Sequence, residues 1–99
     1  MRDDVHRYIV AYDISNDKIR TRVSKVLKSY GSRAQFSVFL VDLSDVKAQR
    51  MTASVEGIID PKVDSVMICD LGAVKSLGDK RFRYLGAVIE KAEDGPLVV

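Results

Sequence analysis

Residues 6–31 read HRYIVAYDISNDKIRTRVSKVLKSYG, and this stretch sets the architecture of the chain. It opens with residues 6–14, where both alternating faces are largely apolar, as in an interior strand of a sheet. The polar residues Ser15, Asn16 and Asp17 interrupt this pattern, and each residue type can cap a helix N-terminus. The stretch therefore predicts a strand that leads directly into a helix.

The predicted first helix covers residues 18–30. One of its faces carries apolar residues at helical spacing, namely Ile19, Val23, Val26, Leu27 and Tyr30. At ~100° per residue, the outer face carries four cations, namely Lys18, Arg22, Lys25 and Lys28. Arg20 flanks the apolar stripe on the other side, and Gly31 is well placed to end the helix.

The next segment, residues 33–43, is rich in aromatic and β-branched residues and is predicted to be extended. It is long for one strand, so one bent strand and two short strands both remain open. Phe36 and Phe39 fall on opposite faces if the strand is regular. One of them is then expected in the core, and the other either lines an interface or stacks on a base.

A second helix is predicted to begin after the cap Ser44 and to end at Asp60-Pro61. Its buried stripe is Ala48, Met51, Val55, Ile58 and Ile59. Strands are predicted at residues 65–71 and 81–85, with a loop at 72–80 between them. This order indicates an α+β sandwich with two helices on one face of a sheet.

The length of 99 residues predicts a single domain spanning residues 1–99. The single Cys69 excludes both an intrachain disulfide and a cysteine-based metal site. The charged start leads into no signal-peptide core, and no run approaches the ~20 apolar residues of a membrane span. We therefore expect a soluble, cytoplasmic protein without a membrane partner. The apolar tip at residues 95–99 is expected to dock on the sheet of a second protomer.

The charge is distributed unevenly along the chain. The formal net charge is only +2, yet residues 18–33 hold six cations and no acid. The rest of the chain contains all 14 acids and the remaining 10 bases (16 − 6). Such an asymmetry favours phosphate binding by the helix, although a solvated helix face is an equally good interpretation.

Asp13 is the first candidate for chemistry because it stands at the end of a strand, before a loop and a helix. A turn aspartate that bonds its own backbone is the simpler interpretation of this position. One carboxylate is a poor metal site, but Mg²⁺ often takes one or two carboxylates and completes its shell with water and phosphate. Two Asp13 side chains that face each other across a two-fold axis meet that requirement, so the mechanism needs a homodimer.

Several short strings together resemble the CRISPR-associated protein 2 family. They are Tyr12-Asp13-Ile14, Arg20 and Arg22 within Ile-Arg-Thr-Arg-Val, Lys25, Leu27, Tyr30-Gly31, Arg33, Gln35 and Ser37-Val38-Phe39. The match covers about the first 40 residues in register. The resemblance implies a ferredoxin-like α+β fold and a symmetric homodimer, in which the C-terminal strand of one protomer packs on the other and residues 33–43 supply two strands.

The resemblance also implies roles for individual residues. Asp13 becomes the catalytic residue and the Mg²⁺ ligand at the dimer axis. Arg20, Arg22 and Arg33 become phosphate-contacting or site-supporting residues, and Tyr12 and Phe39 shape the site. Lys25 and Lys28 lie on the basic face of the predicted first helix and are also expected to bind nucleic acid. Many members carry an acid after Ser-Val-Phe where this chain has Leu40, so Asp13 has less carboxylate support here.

Three functions follow as hypotheses. The first is a Mg²⁺-dependent endonuclease on DNA or RNA that takes part in CRISPR spacer acquisition. The second is a non-catalytic DNA-binding scaffold that bridges CRISPR-associated protein 1, and the third is a VapD-like toxin ribonuclease. The same residues serve the first two hypotheses, so the sequence separates them poorly.

Overall fold

The computed structural model describes residues 4–78 and 81–87. Its elements are β1 (His6–Asp13), α1 (Asp17–Tyr30), β2 (Gly31–Gln35), β3 (Val38–Leu43), α2 (Asp45–Glu56), β4 (Ser65–Ala73) and a 3₁₀ turn (Val74–Ser76). The strands form one antiparallel sheet in the order β2-β3-β1-β4. The predicted ferredoxin-like α+β fold is confirmed. In these two ranges of the chain, no helix is long and apolar enough to cross a membrane.

The core lies between the two helices and one face of the sheet. From β1, it takes the alternate residues Tyr8, Val10 and Tyr12, all buried. The helices contribute Val23 and Leu27 from α1 and Met51 and Val55 from α2, and β3 contributes Phe39, Val41 and Leu43. Since β3 and β4 flank β1 on either side, β1 is the interior strand that the sequence predicted.

The opposite face of the sheet carries a buried ion pair. Arg7 and Asp42 are direct cross-strand neighbours on β1 and β3. The guanidinium of Arg7 donates from Nε to Oδ1 of Asp42 at 2.7 Å and from Nη2 to Oδ2 at 2.9 Å. Bidentate pairs of this kind are among the stronger and most directional hydrogen bonds in proteins. The pair therefore fixes the register of β1 against β3 on the face opposite α1 and α2.

The prediction of a strand at residues 81–85 is wrong. This segment forms no strand in the structure. Phe82 lies with its ring centroid 5.8 Å from the guanidinium carbon of Arg7, and Tyr84 lines a cleft together with Ile9 and Leu40. Because the segment lies over the face of the sheet rather than along an edge, its backbone has no strand of the described residues beside it to pair with. The predicted docking of the apolar tip at 95–99 falls outside the described residues.

Residues 33–43 resolve into a hairpin of two strands, β2 and β3, with Phe36 and Ser37 in the turn. This decides between the two interpretations that the sequence left open. The hairpin begins at Gly31, which is also the C-terminal cap of α1, with its N–H donating to the carbonyl of Leu27. The chain thus passes from helix to strand without a loop.

Two boundaries differ from the prediction. Helix α2 ends at Glu56 rather than at Asp60, because Gly57 begins a tightened last turn in which the N–H groups of Ile58 and Ile59 both donate to the carbonyl of Val55. Strand β4 extends to Ala73 instead of ending at residue 71. The pairing of β4 with β1 shifts register between Arg7 and Tyr8, because β4 has a bulge there. Gly72, next to the bulge, adopts a φ of +106°, and the pairing then continues to Ala73.

A methyl group at Gly31 should weaken the fold. A Cβ at this position would meet the carbonyl oxygen of Leu40 and would lie 2.7 Å from Cγ1 of Val41, so the hairpin must shift. We expect Gly31→Ala to lower the free energy of unfolding by about 1–3 kcal/mol, as measured by urea denaturation.

Gly57→Ala is the matched control for this change. Gly57 has a helical φ of −71°, and a Cβ there would make only ordinary contacts at 3.6 Å. The free energy of unfolding of the Gly57→Ala variant should stay the same or rise by about 0.4–1 kcal/mol. Equal destabilisation by both variants would contradict the close approach at Gly31.

Candidate nucleic-acid interface

Asp13 is the last residue of β1 and is exposed. Its Cα lies opposite Ser65, the first residue of β4. Its carboxylate forms no hydrogen bond or ion pair with the part of the chain that the structure describes. A turn aspartate would bond its own backbone, so this carboxylate is instead available to a cation or to a second chain.

Arg20 holds the loop between Asp13 and α1. Its Nη1 donates to the carbonyl of Ile14 at 2.9 Å and to that of Ser15 at 3.2 Å. Its Nη2 donates to the carboxylate of Asp17, one turn earlier on the same helix. Arg20 is close in sequence to both Asp13 and Asp17, and the structure pairs it with Asp17. Asp13 therefore has no ion pair with Arg20, which positions the loop beside it.

Arg33 is half-buried and packs on the core. Its guanidinium carbon lies 5.3 Å from the ring centroid of Phe39, and its Nη2 donates to the hydroxyl of Ser24 on α1 at 2.6 Å. The ring of Tyr12 stacks against the same Phe39, with 6.3 Å between the centroids. Phe39 is fully buried, so it supports Arg33 and Tyr12 from below and is not itself reachable by a ligand.

The four cations of the predicted outer face, Lys18, Arg22, Lys25 and Lys28, are all exposed. None of them pairs with a carboxylate within residues 4–78 and 81–87. From Lys18 to Lys28 the helix advances roughly 15 Å. Phosphates on one strand of a duplex follow at ~3.4 Å along the axis, so this face spans about four phosphate steps.

The turn of the hairpin lies beside the end of β1. The N–H of Tyr12 donates to the carbonyl of Ser37 at 3.1 Å, and the Tyr12 hydroxyl lies 3.5 Å from the carbonyl oxygen of Phe36. The space between this turn and α1 is lined by Thr21, Ser24 and Phe36 among others. The sequence assigned no role to Thr21 or Ser24, and it left Phe36 as one of two candidates for an interface or base-stacking position. Ser24 could have been found from its position four residues after Arg20, because this spacing puts both residues on the same face of α1. For Phe36, the sequence could not show that it lies in a turn.

The described part of the chain does not group enough ligands for a metal ion. Among the described residues, no group of three His, Cys, Asp or Glu side chains lies close enough to hold a cation. Leu40, which directly follows Ser-Val-Phe, is buried on the sheet face opposite the helices. Asp13 can thus take part in a metal site only with ligands from outside residues 4–78 and 81–87.

The strand order and the placement of the two helices define a small ferredoxin-like α+β protein. Its first helix carries an exposed cationic face. The family model for CRISPR associated protein Cas2 matches residues 6–76. The chain belongs to this family.

Individual relatives agree with this placement. CRISPR-associated endoribonuclease Cas2 4 of Rhodospirillum rubrum is 39% identical over 98 residues, which cover 99% of this chain and 77% of the relative. The crystal structure of Streptococcus pyogenes Cas2 aligns with a TM-score of 0.71 at 29% identity, covering 81% of this chain and 99% of that one. A chain of a partial Cas6-RT-Cas1–Cas2 complex shares the fold, with a TM-score of 0.62 and 22% identity over 86% of this chain and 99% of its own.

The start of α1 should depend on Asn16. The side chain of Asn16 accepts a hydrogen bond from the N–H of Ile19 at 2.9 Å and so caps the helix. We expect Asn16→Ala to lower the free energy of unfolding by about 0.5–2 kcal/mol in urea denaturation, whereas Asn16→Asp should be nearly neutral. If the alanine and aspartate variants lose the same stability, the cap is not what anchors this end of the helix.

Proposed function

We propose that the protein is a homodimeric nucleic-acid-binding subunit of CRISPR spacer acquisition. Paired Asp13 carboxylates would hold a Mg²⁺ ion that activates water for hydrolysis of a phosphodiester of RNA or DNA. The observation that carries the proposal is the exposed Asp13 carboxylate, without a partner among the described residues, at the end of the interior strand and next to an unneutralised basic helix. Membership in the family and the endoribonuclease names of its relatives support it.

In this proposal, different residues bind the nucleic acid and carry out the reaction. The exposed cations of α1 bind the phosphate backbone without reading its sequence. Arg20 holds the loop that directly follows Asp13 and so restrains the backbone next to the carboxylate. Two copies of Asp13 fit the preference of Mg²⁺ for one or two carboxylates. When bound, the ion polarises the scissile phosphate and lowers the pKa of the attacking water.

A non-catalytic scaffold that bridges CRISPR-associated protein 1 is the second candidate. It uses the same basic helix and needs no chemistry at Asp13. Leu40 favours it, because the resemblance implies an acid at this position in many members and its replacement leaves Asp13 with less carboxylate support. A solved chain of the same fold belongs to a partial Cas6-RT-Cas1–Cas2 complex, which supports the scaffold.

Removing charge from α1 should weaken DNA binding. Arg22→Ala and Lys25→Ala each remove one exposed cation, so we expect weaker binding and a smaller dependence on salt. The slope of log K against log salt should fall by about 1 for each lost phosphate contact. Fluorescence anisotropy of a labelled duplex at several salt concentrations measures both quantities.

Lys47→Ala is the matched control, since Lys47 is an exposed lysine on α2. Its affinity and salt slope should match those of the unmodified protein. Unchanged binding in both α1 variants would remove the basic helix from the interface.

Replacing Asp13 should separate cleavage from binding. We expect Asp13→Asn to abolish Mg²⁺-dependent cleavage, a loss of at least about 100-fold, because it removes the negative charge that holds the ion. DNA affinity should stay within about twofold, because the phosphate contacts lie on α1. A gel assay of labelled RNA and DNA with and without Mg²⁺ measures cleavage.

Glu56→Gln is the control, as Glu56 is an exposed acid at the end of α2. It should cleave normally. No cleavage by the unmodified protein on either substrate would favour the scaffold, and a monomer in sedimentation equilibrium at the assay concentration would eliminate the shared metal site.

A further inference from the structure

A cavity of ≈ 320 Å³ opens between α1 and the turn of the hairpin. It lies on the helix side of the sheet, beside the end of β1. Its lining consists of two arginines, two aromatic residues and two hydroxyl residues: Tyr12, Arg20, Thr21, Ser24, Arg33 and Phe36. This volume is at the lower end of the ~300–1,000 Å³ range of small-molecule sites.

Arg33 brings a positive charge to this cavity that the chain does not balance. It forms no ion pair with any carboxylate in residues 4–78 and 81–87. Its Nε is buried without an acceptor, and its Nη2 has only the neutral hydroxyl of Ser24. Arg20, in contrast, is already neutralised by Asp17. A half-buried cation without a counter-charge favours an anion, and a guanidinium suits phosphate in particular.

Phe36 brings an exposed aromatic ring to the same cavity. The residue is 64% exposed, so its ring makes little contribution to the core. The turn that carries it is held by the hydrogen bond from the N–H of Tyr12 to the carbonyl of Ser37. The ring therefore sits on a fixed backbone next to a phosphate-binding group, which is the arrangement that proteins use to stack a nucleobase.

We propose that this cavity binds one unpaired nucleotide of a single strand, with its base on the ring of Phe36 and its phosphate at Arg33. The hydroxyls of Thr21 and Ser24 line the space between the two and can bond the sugar or the base edge. A duplex does not fit, because both faces of each of its bases are covered by neighbouring bases. The proposal rests on the proposed function as a nucleic-acid-binding protein and adds a second contact, separate from the outer face of α1.

Three labelled ligands test the proposal by fluorescence anisotropy: a short single DNA strand, a strand of equal length built from abasic spacers, and the duplex. Phe36→Leu should weaken binding of the intact strand by about fivefold or more, the loss expected for one stacked base. It should leave the abasic strand and the duplex unchanged. Phe36→Tyr keeps the ring and should bind like the unmodified protein, as should Val63→Ala, a change at an exposed apolar residue between α2 and β4.

Arg33 is tested on the same ligands. Arg33→Gln should weaken the intact and the abasic strand alike and reduce the salt slope for both by about 1, while Arg33→Lys should retain much of the affinity. Thermal melting of each variant shows whether the packing on Phe39 is kept. A matching RNA strand distinguishes the two sources of an unpaired nucleotide, since the tighter binder identifies the ligand.

The outcomes separate this inference from the proposed function. If Phe36→Leu leaves the intact strand unaffected or weakens the duplex equally, the nucleotide cavity is overturned, whereas salt-dependent duplex binding by α1 still stands. If the unmodified protein binds neither the duplex nor either strand, the proposed function fails together with the cavity.

Discussion

The structure depends on β1 being hydrogen-bonded along both edges, to β3 on one side and to β4 on the other. A strand held in this way cannot shift its register without breaking two ladders and exposing the residues that pack under the helices. On the opposite face, the pair of Arg7 and Asp42 opposes the same slip. The end of β1 is therefore a fixed point of the molecule, and Asp13, Tyr12 and the hairpin turn are all placed relative to it.

Local patterns in the sequence predicted most of the fold. The apolar periodicity of residues 6–31, the cap residues and the stop at Gly31 are short-range signals, and they located β1 and α1 to within a residue. The segment at 81–85 was predicted wrongly because its composition fits a strand, but a strand also requires a neighbour to pair with. The end of α2 was misplaced because Ile58 and Ile59 pack against the core from a turn, and a turn can bury apolar residues as well as a helix can.

The site was predictable to the extent that its residues are close in sequence. Asp13, the basic face of α1 and the loop between them lie within 16 residues, so one helix and one strand end sufficed to place them. The partner of Arg20 was not predictable, because Asp13 and Asp17 are both near it in sequence and only the path of the loop decides between them. The grouping of Ser24, Arg33 and Phe36 was also hidden, since it depends on the hairpin folding back onto α1.

The hydrogen bonds of Arg20 have a consequence for how this protein can change over evolution or by engineering. They hold the loop through its own backbone carbonyls and Asp17, so the location of the acid does not rely on any of the lysines or arginines that point to solvent. The number of those solvent-facing charges can therefore rise or fall while the acid stays where it is. Under the proposed function, the affinity for a polyanion and the chemistry at Asp13 can then change independently, although the two groups of residues are close together in the chain.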